Sequence, residues 1–243
     1  DQDACGLDDR IDHQRLCNHL RSSIKDFEEI RYWQKNPADY ANSCVDAVHI
    51  LFLREFAPIE ERAAAILSRM RQMPRFLRDA KRNLADTPRI FTQLAIDISA
   101  GGQNFINKMT AELGSLVPAM AKDLDAARGK AIAAMVDYAE CLKNEIFPNA
   151  TGAFAIGGEH FDFKLKMDHM LPYTAEDLLD YGQKVKEQTE RALDQAARRI
   201  DGRKTWIELV DDIKNIHPRA PELAATYRNE MERAREFIRE RDL

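Results

Sequence analysis

Prolines recur along this chain just ahead of stretches whose apolar residues are spaced three and four apart. Proline is tolerated in the first turn of a helix, because the N–H that it lacks would have no partner there in any case. Six such helix starts can be marked, at NPADY, APIEE, MPRFL, TPRIF, VPAMA and LPYTAED. No segment alternates apolar and polar residues with the period of two that a half-buried strand requires. The pattern therefore predicts an all-α protein without a sheet.

The helical period also gives the extent of the predicted helices. The first helix carries apolar residues at helical spacing from Leu7 to Ile30. Five later helices are predicted over residues 87–113, 118–147, 174–202, 204–216 and 221–241. The AGG triplet at 100–102 predicts a kink or a break. We expect about ten helices, arranged in a single elongated array.

One stretch interrupts the helical pattern. FPNATGAFAIGG, at residues 147–158, is rich in glycine and alanine and separates two helical blocks. We therefore expect an amino-terminal block over residues 1–147, a loop or hinge over 148–158 and a carboxy-terminal block over 159–243. The two blocks are predicted to form one structural domain.

Charge and hydropathy exclude two classes of partner. The net charge is −5, which does not fit the basic surface of a nucleic-acid-binding protein. The longest apolar run, 47–53, is interrupted by His49 and is far shorter than the roughly 20 residues of a membrane span. The sequence begins without methionine and shows no signal-peptide pattern, and we therefore expect either that a leader was removed or that the chain was trimmed. The cytoplasm and the cell envelope both stay open as compartments.

The four cysteines do not form a metal or redox motif. Cys5, Cys17, Cys44 and Cys141 are scattered, and no C-x-x-C pair occurs. Scattered cysteines in a chain that can build a large core are usually free or buried thiols. We expect free or buried thiols here.

Histidines are the first place to look for a metal site. His160 and His169 lie nine residues apart, and nine steps of about 100° place them on opposite faces of a continuous helix. They are therefore not expected to share a metal ion. Asp9, His13 and Cys17 recur every four residues on one face, a spacing that lets three side chains converge on one ion. The alternative, which we favour, is that Cys17 packs beside the apolar stripe of the same helix.

Catalytic signatures with a fixed spacing are absent from the sequence. It contains no His-Glu-x-x-His, no Gly-x-Ser-x-Gly and no phosphate-binding Gly-Lys-Ser/Thr loop. No catalytic residue and no cofactor can therefore be assigned within the chain.

Five blocks in order carry a resemblance to a known family. They are RYWQKNPADY, EERAAAILSRMRQMPRFLRDAKRNL, TPRIFTQLAI, LPYTAEDLLDYG and HPRAPELAATYRNEMERAREFIRERDL. Together they cover most of residues 31–243 and resemble the amino-terminal region of the bacterial family catalogued as domain of unknown function 885. Members of that family look like helical, zincin-like metallopeptidases that enclose substrate in a channel between helical halves. The resemblance implies that the zinc motif of the complete enzyme lies beyond Leu243.

The family implies a non-catalytic role for this chain. The chain would be one helical half of a zinc-dependent peptidase or hydrolase, forming one wall of the substrate channel. Its partner would be a carboxy-terminal catalytic region, in the same chain or separate, and a homo-oligomer is a further expectation. The alternative is a stand-alone helical scaffold or binding protein without hydrolase activity.

The resemblance also suggests which residues would face the channel. The candidates surround the glycine-rich loop and are Phe154, His160, Phe161, Phe163 and Tyr173. The alternative for the rings, which we favour, is burial in the core. If a partner half is missing, an apolar surface should be exposed, and the last helix, with Leu223, Tyr227 and Met231 on one side, is the best candidate for part of it.

Overall fold

Ten α-helices account for most of residues 6–242, which are the residues that the computed structural model describes. No strand occurs among them, so the predicted all-α fold is confirmed. The helices are α1 (Leu7–Lys25), α2 (Tyr32–Lys35), α3 (Pro37–Leu53), α4 (Ile59–Asn83), α5 (Arg89–Leu116), α6 (Ala121–Cys141), α7 (Gly158–Met167), α8 (Ala175–Ile200), α9 (Trp206–Lys214) and α10 (Leu223–Glu240). Two π-helical segments follow α1 and α6, at Asp26–Ile30 and Leu142–Ile146.

Several prolines mark helix starts as predicted. Pro37 is the first residue of α3, and the Asn36 side chain caps that helix by accepting the Ala38 N–H at 3.1 Å. Pro58 and Pro88 immediately precede α4 and α5. Because proline fixes φ near the helical value and needs no acceptor at this position, it begins a helix at little cost.

Pro74 is the exception, and the helix start predicted at MPRFL is wrong. Pro74 lies inside α4, where its ring and its missing N–H cost about 3 kcal/mol. Met70, Met73 and Leu77 flank it on one face, and all three are buried. Each such burial contributes roughly 1.5–3 kcal/mol, so the apolar face of a continuous helix outweighs the proline.

The core lies among α3, α4, α5 and α6. Helix α3 packs against α4 and α5, and α6 packs against the same two helices. Ile66, Met70, Ile106, Leu113 and Tyr138 are among the large side chains that this arrangement buries completely. The helical periodicity of the four segments therefore supplies one apolar face from each to a common core.

Glycines at the centre of α5 permit close helix packing. The helix runs unbroken from Arg89 to Leu116, so the break predicted at 100–102 is wrong. A Cβ added at Gly102 would lie 2.6 Å from Met135 Cε of α6 and 2.7 Å from Val45 Cγ2 of α3, whereas one added at Gly101 would meet nothing within 4 Å. Gly102 thus marks the place where the backbone of α5 approaches its neighbours, and not the end of a helix.

The chain divides into two compact units, residues up to Thr174 and residues from Ala175. The second unit contains α8, α9 and α10, and α8 packs against α9. The predicted loop at 148–158 lies within the first unit, where the Gly152 N–H donates to the Thr87 carbonyl at 3.2 Å. The blocks predicted to either side of that loop stay a prediction. No helix between residues 6 and 242 is both long and apolar enough to cross a membrane.

Candidate functional site

The predicted metal ligands on α1 do not all come together. The Cys17 Sγ lies 3.6 Å from His13 Nε2. Asp9 does not join this contact. Its carboxylate accepts a hydrogen bond of 3.2 Å from the Gly6 N–H at the start of the helix. Within residues 6–242 no three His, Cys, Asp or Glu side chains are grouped so that they could hold a metal ion.

The cysteines within the described part of the chain are free thiols. Cys44 is buried in the core, and burial raises the pKa of its thiol to about 12. Cys17 and Cys141 are half-buried. Cys5 lies outside the described residues.

His160 belongs to a polar interface that joins α7 to the end of α1. Its Nε2 lies 3.2 Å from the Glu29 carboxylate, which also accepts a bond of 2.7 Å from Lys25 Nζ. The hydrogen bond from Lys25 is the largest influence on Glu29 and holds its pKa below the ordinary value. His160 therefore positions α7, and a nearby carboxylate already occupies one of its ring nitrogens.

Two further polar contacts complete this interface. Lys164 Nζ donates to Asp26 at 2.7 Å, and the Ser22 hydroxyl donates to Asp168 at 3.0 Å. The π-helical segment that begins at Asp26 carries Glu29 as well, so both acidic side chains that meet α7 come from one irregular turn. Such π-helical turns are frequent at functional sites and redirect side chains locally.

Helix α1 buries its polar face and exposes its apolar face. The residues that it buries are polar, namely Asn18 and Ser22. Its leucine-rich stripe is exposed instead, and Leu20 retains 52% of its accessible surface. The stripe consists of Leu16, Leu20 and Ile24 of α1 together with Phe27 of the π-helical segment that follows, and we call it the α1 stripe. A surface helix normally does the opposite, so the described part of the first unit supplies no apolar cover for the α1 stripe.

The five predicted channel residues do not line one common cavity. Phe154 and His160 line a small pocket of about 80 Å³, and Tyr173 lines a different cleft. The Phe163 ring lies 5.0 Å from Lys25 Nζ, within reach of a cation–π contact. The core-packing alternative is wrong for Phe154, Phe161 and Tyr173, which are exposed.

A cleft of about 780 Å³ lies between the middle of α1 and the end of α7, and the sequence did not predict it. Gln14, Asn18 and Arg21 line it from α1, and Asp162 and Lys166 line it from α7. Its remaining wall is the turn that ends α7, which carries apolar and aromatic side chains through Tyr173. We call this the α1–α7 cleft.

A tight turn shapes the wall of the α1–α7 cleft. Met170 adopts a left-handed conformation with φ of 54°, and the Leu171 N–H donates to the Leu165 carbonyl at 3.0 Å. This bond closes the end of α7 in the manner of a helix C-cap. Among the residues that the sequence singled out, Tyr173 is the one that lines this cleft.

Comparison with known proteins supports a bacterial family. The model of the family described as "Bacterial protein of unknown function (DUF885)" matches residues 1–243. No curated protein matches the chain. A solved structure described as that of "a putative lipoprotein of unknown function from Shewanella oneidensis" is similar in fold, with a TM-score of 0.68 and 19% sequence identity. The match covers 99% of this chain and 48% of that one, so the chain spans about half the length of its structural neighbour.

Proposed function

Because the chain belongs to the bacterial DUF885 family, we propose that it is the non-catalytic, amino-terminal helical half of a zinc-dependent peptidase or hydrolase. In that role it forms one wall of a substrate channel and packs against a carboxy-terminal catalytic region. The family resemblance supports the hydrolase class. The likeness to about half of a longer protein supports the division into halves.

The observation that carries this proposal is the exposed α1 stripe. Covering one large apolar side chain stabilises a protein by roughly 1.5–3 kcal/mol, and this stripe offers four of them. An apolar surface left open on one side of a helix marks the place where another part of a protein packs. The carboxy-terminal region is the cover that we propose for it.

Helix α10 shows a second such surface. Leu223, Tyr227, Met231, Phe237 and Ile238 are all exposed, as expected for the face that the sequence indicated. The residues of this face recur at helical spacing, so they form one continuous side. We propose that it also packs against the carboxy-terminal region.

The described residues do not fit a catalytic zinc. Such a site needs three converging protein ligands, and no group of this kind occurs among residues 6–242. Of the α1 candidates, His13 and Cys17 are in contact, but Asp9 caps the helix. We therefore assign the zinc to the proposed carboxy-terminal region and derive no catalytic step within this chain.

Metal content and peptide hydrolysis test the proposal together. Both would be measured on this chain alone and again with the region that follows it in the longer protein, supplied as one chain or as a separate partner. We expect one tightly held zinc and turnover only when that region is present. Stoichiometric zinc and turnover from residues 1–243 alone would contradict the proposal.

A substitution on the α1 stripe tests the docking surface directly. Leu20→Glu should weaken association with a separately produced carboxy-terminal region at least tenfold, because it places a charge in an apolar contact. Leu116→Glu, at an exposed position on α5, is the matched control and should bind as the unmodified chain does. Equal affinity for the two variants, with unchanged circular dichroism, would show that the α1 stripe is not the interface.

The second candidate is a helical scaffold or binding protein without hydrolase activity. The α1–α7 cleft favours it, because that cleft has the size of a small-molecule site and lies wholly within the first unit. This candidate predicts a gene without a His-Glu-x-x-His pattern downstream. A reading frame that continues into that pattern would favour the hydrolase instead.

The structural neighbour bears on localisation. It is described as "a putative lipoprotein", and of the two compartments that the sequence leaves open we propose the cell envelope. Fractionation of the native host with an antibody to this chain tests the assignment, and recovery in the cytoplasmic fraction would contradict it.

A further inference from the structure

The α1–α7 cleft carries two cations that are not paired within the protein. Arg21 and Lys166 both line it, and neither has a hydrogen bond or ion pair with another residue of the 6–242 range. The other lysines of the same interface are paired, since Lys25 bonds Glu29 and Lys164 bonds Asp26. Arg21 and Lys166 are therefore two cations of this interface that are left without a partner among the described residues at the cleft.

A buried amide adds a neutral donor to these cations. Asn18 retains only 5% of its accessible surface and lines the cleft. Gln14 Nε2 donates to its amide oxygen at 2.8 Å. This bond uses one of the two lone pairs of the oxygen, and the N–H₂ group of Asn18 supplies two further N–H donors. An acceptor bound in the cleft could take a hydrogen bond from this group.

The charge of the lining fits a monoanion. The lining has a net charge of +1, because it contains two cations, Arg21 and Lys166, and one carboxylate, Asp162. A carboxylate carries one negative charge and two acceptor oxygens, which suit a guanidinium and an amide N–H₂. A phosphate carries more charge than this lining compensates.

The rest of the lining requires the ligand to have an apolar body. Met167, Met170, Leu171, Pro172 and Tyr173 form the wall opposite α1. The volume of about 780 Å³ lies within the roughly 300–1,000 Å³ that is usual for small-molecule sites. We infer that the α1–α7 cleft binds an organic carboxylate with an apolar body, with Arg21, Lys166 and Asn18 holding the carboxylate. This inference does not depend on the proposed hydrolase.

Octanoate is a suitable probe, because it joins one carboxylate to a flexible apolar chain. The assay is a titration of the ¹⁵N-labelled chain followed by amide chemical shifts, which report both affinity and place. Saturable shifts are expected at residues 14–21 and 162–174. Octanamide has the same apolar chain without the charge and should bind at least tenfold more weakly. Inorganic phosphate should not compete.

Two substitutions test the assignment of the charges. Arg21→Gln and Lys166→Gln should each weaken octanoate binding about tenfold, since each removes one charge-assisted hydrogen bond. Arg10→Gln is the matched control, because Arg10 lies on the same helix and the same face roughly 16 Å from Arg21 and does not line the cleft.

The possible results separate clearly. A loss of affinity in both cleft variants, with Arg10→Gln unchanged, supports the inference. Equal affinity for octanoate and octanamide would show that the cleft recognises the apolar chain and not the carboxylate. Effective competition by phosphate would show that it binds anions in general. Either result, or the absence of saturable shifts, would overturn the inference.

Discussion

The glycine pair in α5 allows the packing of the core to be tested at neighbouring positions. Gly101→Ala adds a methyl group where nothing lies within 4 Å, whereas Gly102→Ala places the same group 2.6 Å from Met135 Cε and 2.7 Å from Val45 Cγ2. Both changes remove a helical glycine and therefore gain about 1 kcal/mol in helix propensity. The difference between the two variants isolates the contact made by Gly102.

The magnitude follows from the two short contacts. Carbon atoms pack best at about 3.5–4.0 Å, so the new methyl group would be about 1 Å too close to two side chains at once. Met135 Cε is a flexible end, but Met135 is buried, and Val45 is β-branched and restricted in rotation. Overpacking of this kind costs about 1–3 kcal/mol. We expect Gly101→Ala to be more stable than the unmodified chain, and Gly102→Ala to be about 1–3 kcal/mol less stable than Gly101→Ala.

Urea unfolding measures this difference in the first unit. The chain has two tryptophans, Trp33 and Trp206, one in each unit. A common Trp206→Phe background leaves Trp33 as the reporter of the unit that contains α5. Val45→Ala should restore part of the stability of Gly102→Ala, because it removes one of the two contacts. Equal stability of the two glycine variants would show that α5 does not approach its neighbours as closely as the structure indicates.

Two further predictions concern buried side chains. Tyr138→Phe should lower the free energy of unfolding by about 0.5–1.5 kcal/mol in the same urea assay, because it removes the buried hydrogen bond of 2.9 Å that the hydroxyl donates to the Pro37 carbonyl. An unchanged midpoint would contradict the bond. In the folded chain at pH 8, Cys44 should react with a thiol reagent at least 100-fold more slowly than Cys17, because burial raises its pKa to about 12 and so suppresses the reactive thiolate. Equal rates before unfolding would show that Cys44 is accessible.

Local rules predicted most of the fold. The period of the apolar residues and the prolines at Pro37, Pro58 and Pro88 act through neighbouring residues alone, so helices could be predicted from them. The errors at Pro74 and at 100–102 share one physical cause. In both places, contacts between helices outweigh the local preference for ending a helix, and the sequence does not show those contacts.

The candidate site was less accessible to prediction. The α1–α7 cleft joins residues 14–21 to residues 162–174, which are far apart in the chain, and its charged residues follow no motif with a fixed spacing. Periodicity identified the α1 stripe as one apolar face. It could not tell whether that face meets the core of this unit or another part of the protein, because the spacing is the same in both cases.

The stabilisation that each face of α1 can contribute fits its proposed role in packing against a partner. Its contacts with α7 are polar, and partly exposed ion pairs such as Lys164 with Asp26 contribute about 0–1 kcal/mol each. The α1 stripe would contribute roughly 1.5–3 kcal/mol for each side chain that a partner covers. The contacts to α7 therefore set the position of α1, whereas most of the stabilisation available to this helix lies on its uncovered side.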